Sequence, residues 1–507
     1  MRQARAWSVA LVGIEGRMVE VEAAISSGLP RTTMVGLPDA ALYEARDRCR
    51  AAMAAAGPGW PSDPVTINLS PATLPKAGSH YDLAIAAAVA AAGRKFDPNA
   101  LDRLTLFGEL GLDGRVRRVR GLLPALLTAL SNGFERAVVP AGQLREASLV
   151  DGLTALGANN LDDLFDILRG GPGVLGTPGE PVFECEAGRH DLADVAGQAE
   201  GKWALEVAAA GRHHLYLHGP PGVGKTLLAE RLPTILPDLE TWEALEVSAV
   251  HSLAGINLDA GLVRRPPYAD PHHSASMASL VGGGARIATP GAVSRAHRGV
   301  LFLDEAPEFS PRVMEALRVP LESGRIVLGR ALATATYPAS FQLVLAANPC
   351  PCGMAGTPDG NCRCAPMAVR RYAARVSGPI LDRVDIHQQL RPTRASFLGA
   401  QAVGESSAVI AERVAGARAR QASRLEVSGW RTNGEVPGPV LRKRLPLPEG
   451  AELLDTAVAR GRLSARGVDK VLRLAWTVAD LEGAARPTRE HLHIALAMRR
   501  GEDLEAI

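Results

Sequence analysis

The stretch Leu215–Thr226, which reads LYLHGPPGVGKT, fits the pattern G-x-x-x-x-G-K-[ST] of a phosphate-binding loop. An apolar run precedes the glycines and Leu227-Leu228-Ala229 follows them, so the pattern predicts a strand, a loop and a helix. Glycines lack a Cβ, which lets successive backbone N–H groups approach a phosphate at the positive end of the helix. The alternative for the motif alone is a Gly/Pro turn before an ordinary helix. The predicted nucleotide-binding residues are Gly219, Pro220, Pro221, Gly222, Val223, Gly224, Lys225 and Thr226, and Thr226 also offers a hydroxyl to Mg²⁺.

The composition is that of a multidomain globular protein. The chain has 507 residues, of which 47% are apolar and 22% charged, and this length suggests about three domains. The 56 Lys and Arg residues nearly balance the 54 Asp and Glu residues, so the net charge attracts no polyanion. Any contact with nucleic acid therefore has to come from a local basic patch. The longest apolar run, residues 83–93, is too short to span a bilayer, and the N-terminus lacks a signal-like segment. We therefore expect a cytoplasmic protein without membrane contact.

The first 170 residues alternate strand-like and helix-like segments, which is typical of an α/β domain. The predicted strands are 18–24, 65–69 and 104–107, and the predicted helices are 40–56, 81–92 and 122–131. Asp113-Gly114 lies between two strand-like runs and predicts a tight hairpin turn.

Glycines and prolines then interrupt every periodicity, which predicts a linker over residues 171–190. We expect three domains around it: 1–170, an ATPase core over 191–395, and a helical lid domain over 396–507.

Two further strand patterns in the core end on polar side chains. The run Val300–Leu303 leads into Asp304 and Glu305, a pattern in which Asp304 holds Mg²⁺ and Glu305 polarises the attacking water. Acids at the start of a helix are the structural alternative, and the phosphate loop upstream favours catalysis. A second buried-strand pattern, residues 341–347, ends at Asn348, whose amide can orient water near the γ-phosphate.

Two arginines further along are candidate partners of the γ-phosphate. Arg383 comes near the end of a subdomain, where ring-forming ATPases carry an arginine that reaches the neighbouring subunit's nucleotide. Arg466 opens a long amphipathic helical stretch, residues 468–482, from which it could reach the γ-phosphate. The alternative for Arg383 is a surface pair with Asp382 or Asp385.

Four of the six cysteines fall within 15 residues, as two C-x-C pairs: Cys350, Cys352, Cys362 and Cys364. Four thiolates brought together by a loop can close a tetrahedral Zn²⁺ site, and the alternative is a set of free cytosolic thiols.

The core motifs in their order, Lys225, Asp304-Glu305, Asn348, Arg383 and Arg466, fit an oligomeric AAA+ ATPase. The intervening segments Pro271-His272-His273-Ser274, Leu280–Gly284, Ala296-His297-Arg298-Gly299 and Asn348–Gly353 resemble magnesium-chelatase-like AAA+ proteins, in particular the ComM/YifB family. The resemblance covers essentially the whole chain and departs from the family at Ala269, where an Arg is usual, and at Ala292, where a Glu is usual.

The first 170 residues resemble the Lon-protease-like domain of the same family through Val35–Pro38, Asn68–Ala72, Lys76-Ala77-Gly78 and Gly108-Glu109-Leu110. Active Lon-type proteases have a Lys base where this chain has Leu123, and a serine needs such a base to lose its proton. Ser79, with His80 as a partner, is the remaining candidate nucleophile. We expect the domain to be non-proteolytic.

The family resemblance implies an ATP- and Mg²⁺-dependent ring motor, predicted to be a hexamer, that acts on single-stranded or branched DNA as a helicase or branch-migration factor in recombination or in the integration of incoming DNA. One alternative is a chelatase-type motor that remodels a protein partner, and another is an ATP-dependent protease. We interpret His272 and His273 as loop contacts to substrate or nucleotide rather than metal ligands, because adjacent side chains diverge. The basic residues Arg413, Arg418, Arg420, Arg499 and Arg500 are usually just a solvated face, although in a ring they could grip a phosphate backbone.

Overall fold

A computed structural model describes most of the chain. The described residues are 2–36, 40–74, 76, 78–175, 190–284, 288–329, 334–356, 362–392, 404–426, 429–461 and 463–502. Most of the predicted linker, residues 176–189, lies outside these described residues.

The N-terminal domain is a mixed sheet with helices packed on it. Its strands are β1 (Arg2–Val12), β2 (Glu15–Ile25), β3 (Thr32–Val35), β4 (Val65–Ser70), β5 (Leu104–Leu106), β6 (Glu109–Leu110), β7 (Val116–Arg117), β8 (Arg136–Pro140), β9 (Thr154–Ala158) and β10 (Val174–Leu175). Its helices are α1 (Ala40–Ala55), α2 (Asp82–Ala92), α3 (Leu122–Ser131), α4 (Leu144–Ala147) and α5 (Leu161–Leu168). Every strand and helix predicted for this segment is confirmed to within a few residues.

Eight of these strands form one sheet in the order β10-β9-β8-β5-β1-β2-β4-β3. β1 and β2 are antiparallel over their whole length, whereas β1, β5, β8 and β9 are parallel. All eleven residues of α2 are buried, because alanines at most positions let the helix lie close against β1 and β2. The predicted hairpin turn is confirmed: β6 pairs with β7, and Gly114 has a φ of +84°.

The second domain is built on a parallel sheet. Its strands are β11 (Leu215–His218), β12 (Tyr268–Ala269), β13 (Gly282–Gly283), β14 (Thr289–Pro290), β15 (Val300–Leu303), β16 (Arg325–Gly329), β17 (Thr334–Pro338), β18 (Gln342–Ala347) and β19 (Ile386–Gln389). Its helices are α6 (Ala199–Gly211), α7 (Lys225–Arg231), α8 (Thr241–Ala254), α9 (Met277–Val281), α10 (Ala292–Arg295), α11 (Pro311–Ala316), α12 (Arg318–Ser323), α13 (Pro366–Ala373) and α14 (Gly378–Leu381).

Five strands form the parallel sheet, in the order β12-β15-β18-β11-β19. The strand that comes first in the chain, β11, therefore lies between the last two. Ligands of open parallel sheets bind at the carboxyl ends of the strands where the strand order reverses. The loop after β11 occupies that place.

The C-terminal region is helical, as predicted. Its helices are α15 (Ser407–Leu425), α16 (Gly438–Arg444), α17 (Glu452–Ala459), α18 (Ala465–Glu482) and α19 (Arg489–Arg500). α15 and α18 pack on α6 of the ATPase domain. The last helix follows Pro487, and the Thr488 side chain caps it by accepting a hydrogen bond from the His491 amide. Among the described helices, none combines the length and apolarity needed to cross a membrane.

The N-terminal and ATPase domains meet where α3 packs on α8. The Gly121 amide donates to the Ser252 carbonyl (3.0 Å), and the Ser252 hydroxyl donates to the Glu146 carboxylate (2.5 Å). The Leu123 amide donates to both Glu146 Oε1 and Ser252 Oγ. Leu123, which stands where active Lon-type proteases have a Lys base, therefore lies in the buried interface between the two domains.

Candidate nucleotide site

The loop after β11 has the backbone that its glycines allow. Gly222 and Gly224 have φ of +79° and +93°, a region that residues with a Cβ rarely adopt. At Gly219 a Cβ would come within 2.4 Å of the Leu390 carbonyl oxygen. The loop ends at Lys225, the first residue of α7, so its amides lie at a helix N-terminus, where partial positive charge favours phosphate.

The Lys225 ammonium group is held inside this loop. Its Nζ donates to the carbonyls of Gly219 (2.8 Å) and Pro220 (2.9 Å) and to Asn348 Oδ1 (3.0 Å). Burial lowers the pKa of Lys225, and the nearby carboxylates Asp304 and Glu305 oppose that shift. Asn348, which follows β18, is thus brought to the phosphate loop by the adjacency of β18 and β11.

The candidate Mg²⁺ ligands also meet. Thr226 Oγ1 donates to Asp304 Oδ2 over 2.8 Å, although 78 positions separate the two residues. A hydroxyl and a carboxylate oxygen are hard donors of the kind that Mg²⁺ binds next to nucleotide phosphates. The two residues therefore fit the expected metal.

Glu305 stands beside this pair in a strained backbone conformation. Its φ is +49°, unusual for a residue with a side chain, and its amide donates to Asp304 Oδ1 (2.8 Å). Strained residues with little propensity for their conformation concentrate at functional sites. The Glu305 side chain is 49% exposed and its Oε2 lies 3.3 Å from His273 Nδ1. His272 contacts Ser274, with Nδ1 and Oγ 2.8 Å apart, and its ring centroid lies 4.0 Å from that of His273, so the expectation that the two adjacent side chains diverge is wrong.

Residues 194–198, which precede α6, are tied to the phosphate loop by Gln198. Its Nε2 donates to the carbonyls of Val223 (3.1 Å) and Arg391 (2.8 Å).

Comparisons with protein families and with individual proteins agree with this geometry. The family described as "Magnesium chelatase, subunit ChlI" matches residues 191–397, "Subunit ChlI of Mg-chelatase" matches 21–143, and the ChlI C-terminal family matches 404–499. The chain is 43% identical to the uncharacterized protein YifB of Escherichia coli over 97% of this chain and 96% of that protein. It is 39% identical to competence protein ComM of Haemophilus influenzae over 98% of each chain.

The chain belongs to the ComM/YifB family of magnesium-chelatase-like AAA+ proteins. A 163-residue stretch, 30% of the chain, is also 35% identical to Lon protease 2 of Bacillus subtilis, in keeping with a Lon-like region. The family implies use of ATP and Mg²⁺. The two departures from the family pattern, Ala269 at the end of β12 and Ala292 at the start of α10, are not among the residues that contact Lys225 or Thr226.

The two candidate arginines lie at the end of the parallel strands opposite the phosphate loop. Arg383 precedes β19, whose first residue pairs with Leu215, whereas the phosphate loop follows His218 at the other end of β11. At about 3.3 Å per residue, the strand separates Arg383 from the phosphate loop of its own chain by roughly 10 Å or more. Arg383 donates to the Pro379 carbonyl (2.7 Å) and pairs with Glu322.

Arg466 lies beside Arg383. Its Nη1 is 3.8 Å from Asp382 Oδ2 and 4.0 Å from Glu322 Oε1, and 68% of the side chain is exposed. Arg466 is held at this end of the sheet because a buried ion pair one turn further along α18, between Lys470 Nζ and Asp385 Oδ1 (2.7 Å), fixes the helix there. Although burial alone would raise the pKa of Asp385, Lys470 and the nearby histidines hold it well below its usual range. Within one chain, therefore, the structure does not bring Arg466 to the phosphate loop.

The four clustered cysteines come together. Their Sγ atoms all lie within 4.8 Å of one another, with 3.3 Å between Cys350 and Cys352 and 3.7 Å from each of these to Cys362. Part of the intervening loop, residues 357–361, lies outside the described residues. Cys49 is buried elsewhere, in the N-terminal core.

The protease-like positions do not assemble a serine–lysine pair. The Ser79 hydroxyl donates to the Glu109 carboxylate, and the Lys76 ammonium is buried and donates to the carbonyls of Gly36 and Pro71. His80 Nε2 contacts the Val9 carbonyl (2.9 Å), and burial lowers the pKa of His80 to about 4. Leu123 is fully buried in the apolar core.

The basic side chains of the C-terminal helices serve contacts within the chain. Arg413 is paired with Glu206 and Glu405, Arg418 donates to the Ala209 carbonyl, and Arg420 donates to the Asp480 carbonyl. A separate set of bonds ties Arg499 to the Val384 carbonyl and to Asp382, and Arg500 pairs with Glu502. The sequence predicted a basic face here, and the structure shows that Arg413, Arg418 and Arg420 join α15 to α6 and α18.

Proposed function

We propose that this chain is an ATP-hydrolysing ring motor that moves DNA in the cytoplasm. The observation that carries the ATPase part is the meeting of Lys225, Thr226, Asp304 and Asn348 at the carboxyl ends of three neighbouring strands. Bound Mg-ATP supplies the phosphoryl group. In this reading the loop amides and Lys225 hold the β- and γ-phosphates, Thr226 and Asp304 hold the metal, and Glu305 orients and deprotonates the attacking water.

The positions of the two candidate arginines support the proposal of a ring. Arg383 and Arg466 sit together at the edge of the sheet opposite the loop, where neither reaches the nucleotide of its own chain. In a ring, the opposite edge of one subunit can face the nucleotide of the next, which completes the site in trans. We propose a homo-oligomer of this kind, with six subunits.

DNA as the substrate rests on the likeness to the competence protein ComM over nearly the full length. Because the arginines of α15 are paired within the chain, contacts to phosphates would come from other basic side chains, such as the exposed Arg370 and Arg371 on α13. Repetition of one modest patch around a ring axis would multiply it. We propose branch migration or unwinding of branched DNA as the work performed.

The test is ATP turnover and DNA binding by the assembled protein with Mg²⁺. Binding to forked or single-stranded DNA should weaken as salt rises, because phosphate contacts release counterions. Branched DNA should raise the ATPase rate, and a Lys225→Ala control should lose junction movement. No binding and no stimulation at low salt would refute the DNA motor. ATP turnover without a DNA effect would favour the alternative, a chelatase-type motor that remodels a protein partner.

We also propose that the four clustered cysteines bind one Zn²⁺. A tetrahedral site with Zn–S bonds of about 2.3 Å has sulfur atoms about 3.8 Å apart, close to the observed spacings. The metal would join the segment after β18, which carries Asn348, to the start of α13.

A further inference from the structure

The phosphate loop is attached on one side to the chain that follows β18. The Gly219 amide donates to the Ala347 carbonyl (3.2 Å), which continues the pairing of β11 with β18. At the other end of the loop, Lys225 Nζ donates to Asn348 Oδ1 (3.0 Å). Both ends of the loop are therefore bonded to the start of the segment that carries the clustered cysteines.

A turn in that segment, residues 350–353, lies against the middle of the loop, and we call it the cysteine turn. Its last residue, Gly353, is buried, and a Cβ at this position would lie 2.6 Å from Pro221 Cδ and 2.8 Å from Pro221 Cγ. Close-packed atoms do not approach so closely, so the proline ring fits here because Gly353 has no side chain. The cysteine turn thus supports the loop between its two bonded ends.

The cysteines set the shape of this turn. The Gly353 amide donates to the Cys350 carbonyl (2.9 Å), and the Ala355 amide donates to Cys350 Sγ (3.3 Å). Cys350 is buried, and its Sγ lies 3.3 Å from Cys352 Sγ. The segment that carries two of the four clustered sulfur atoms is therefore the same segment that contacts the phosphate loop.

We propose that the cysteine turn positions the phosphate loop through the contact of Gly353 with Pro221, and that this contact couples nucleotide affinity to the packing of the clustered cysteines. This inference rests on the proposed ATPase function. A loop that is held in its binding conformation before ATP arrives loses less conformational entropy on binding. Gly353 is a positioning residue, because it acts only through Pro221.

The chain supplies a matched control for this contact. Gly356 lies three residues after Gly353, and their φ values are +74° and +79°, so an alanine strains the backbone similarly at both positions. Among the described residues, a Cβ at Gly356 would meet no heavy atom within 4 Å. The two alanine variants therefore differ in whether the added Cβ meets Pro221.

The experiment measures Kd for a fluorescent ATP analogue, together with KM and kcat for ATP, in full-length wild type and in the two variants. We expect Gly353→Ala to raise Kd and KM about 10- to 100-fold, because the added methyl group displaces the loop amides, and to change kcat much less. Gly356→Ala should keep the wild-type Kd. A Kd that rises only in Gly353→Ala is an effect that backbone strain alone would not produce.

A compensating variant tests whether the effect passes through Pro221. Pro221→Ala removes Cγ and Cδ, the two atoms that an added Cβ would meet. In the Gly353→Ala/Pro221→Ala double variant, the two losses of affinity should therefore be less than additive. Pro221→Ala alone should also raise Kd, and it tests the contact from the other side if Gly353→Ala does not fold.

A coupling between two sites is reciprocal, so bound ATP has to affect the cysteines. In the wild type and in Gly356→Ala, saturating ATP should slow the reaction of the clustered thiols with an aromatic disulfide reagent. In Gly353→Ala, with ATP again at saturation, this protection should be reduced.

Equal Kd values for the two alanine variants, or strictly additive losses in the double variant, would overturn the role of Gly353. Thiol reactivity that does not respond to bound ATP in the wild type would overturn the coupling. Failure of the wild type to bind ATP would refute the proposed ATPase, whereas wild-type binding with an unchanged Kd in Gly353→Ala and Pro221→Ala would refute this inference alone.

Discussion

At the scale of single residues, Lys225 and Glu305 have separable roles because only one of them contacts the phosphate loop. Lys225 Nζ is bonded to two loop carbonyls and to Asn348, whereas Glu305 lies beside Asp304 and His273. The lysine should therefore govern nucleotide affinity, and the glutamate should govern the chemical step.

We predict that Lys225→Ala abolishes nucleotide binding, while Glu305→Gln binds ATP normally and turns it over on the order of 10² to 10⁴ times more slowly, as expected on loss of a general base. Fluorescent-nucleotide titration and steady-state hydrolysis measure the two effects. An equal loss of affinity in both variants would contradict this division of roles.

At the scale of elements, the cysteine cluster brings together the two ends of the segment between β18 and α13. Cys350 is buried, and the amide of Ala355 donates to its Sγ (3.3 Å), so the first turn after β18 is already folded around the sulfur. Metal binding would add a cross-link over the loop that leads to Cys362 and Cys364.

We predict one equivalent of zinc per chain in protein purified without added metal. Substitution of both Cys350 and Cys362 by serine should remove it and lower the melting temperature, because the cross-link is lost. Cys49→Ala, which removes a thiol outside the cluster, is the control and should keep the metal. Elemental analysis that finds no zinc in the wild type would show that the four thiols are free.

At the scale of the whole molecule, the two candidate arginines lie away from the phosphate loop of their own chain. Arg383 and Arg466 gather at the edge where β11 begins, and the phosphate loop lies where β11 ends. The buried Lys470–Asp385 pair fixes this edge to α18. In the proposed ring, a subunit interface would bring Arg383 to the γ-phosphate of the neighbouring chain.

We predict that Arg383→Ala alone lowers kcat by about 10³-fold or more, as for other arginines that act in trans. Mixing inactive Arg383→Ala subunits with inactive Lys225→Ala subunits should restore part of the activity, because some interfaces then combine an intact loop with an intact arginine. Arg486→Ala, which removes an exposed arginine paired with Glu449, should leave activity unchanged. No recovery at any ratio in confirmed mixed assemblies would refute action in trans.

The sequence by itself determined the parts whose information is local. The phosphate loop is contiguous, so its glycines and Lys225 specify their own backbone. Asp304 and Asn348 each follow a buried apolar run, and the carboxyl ends of parallel strands share one edge of a sheet. The helices and strands of the N-terminal domain could likewise be predicted from their periodicity.

Only the tertiary structure decided which distant residues meet. The order and register of the strands place Arg383 away from its own loop and set His273 beside Glu305. The packing of α3 on α8 places Leu123 in the interface between two domains. The ion pair between Arg413 and Glu206 joins α15 to α6, so this arginine belongs to a contact between helices. These outcomes depend on contacts between segments far apart in the chain, and neither composition nor spacing encodes such contacts.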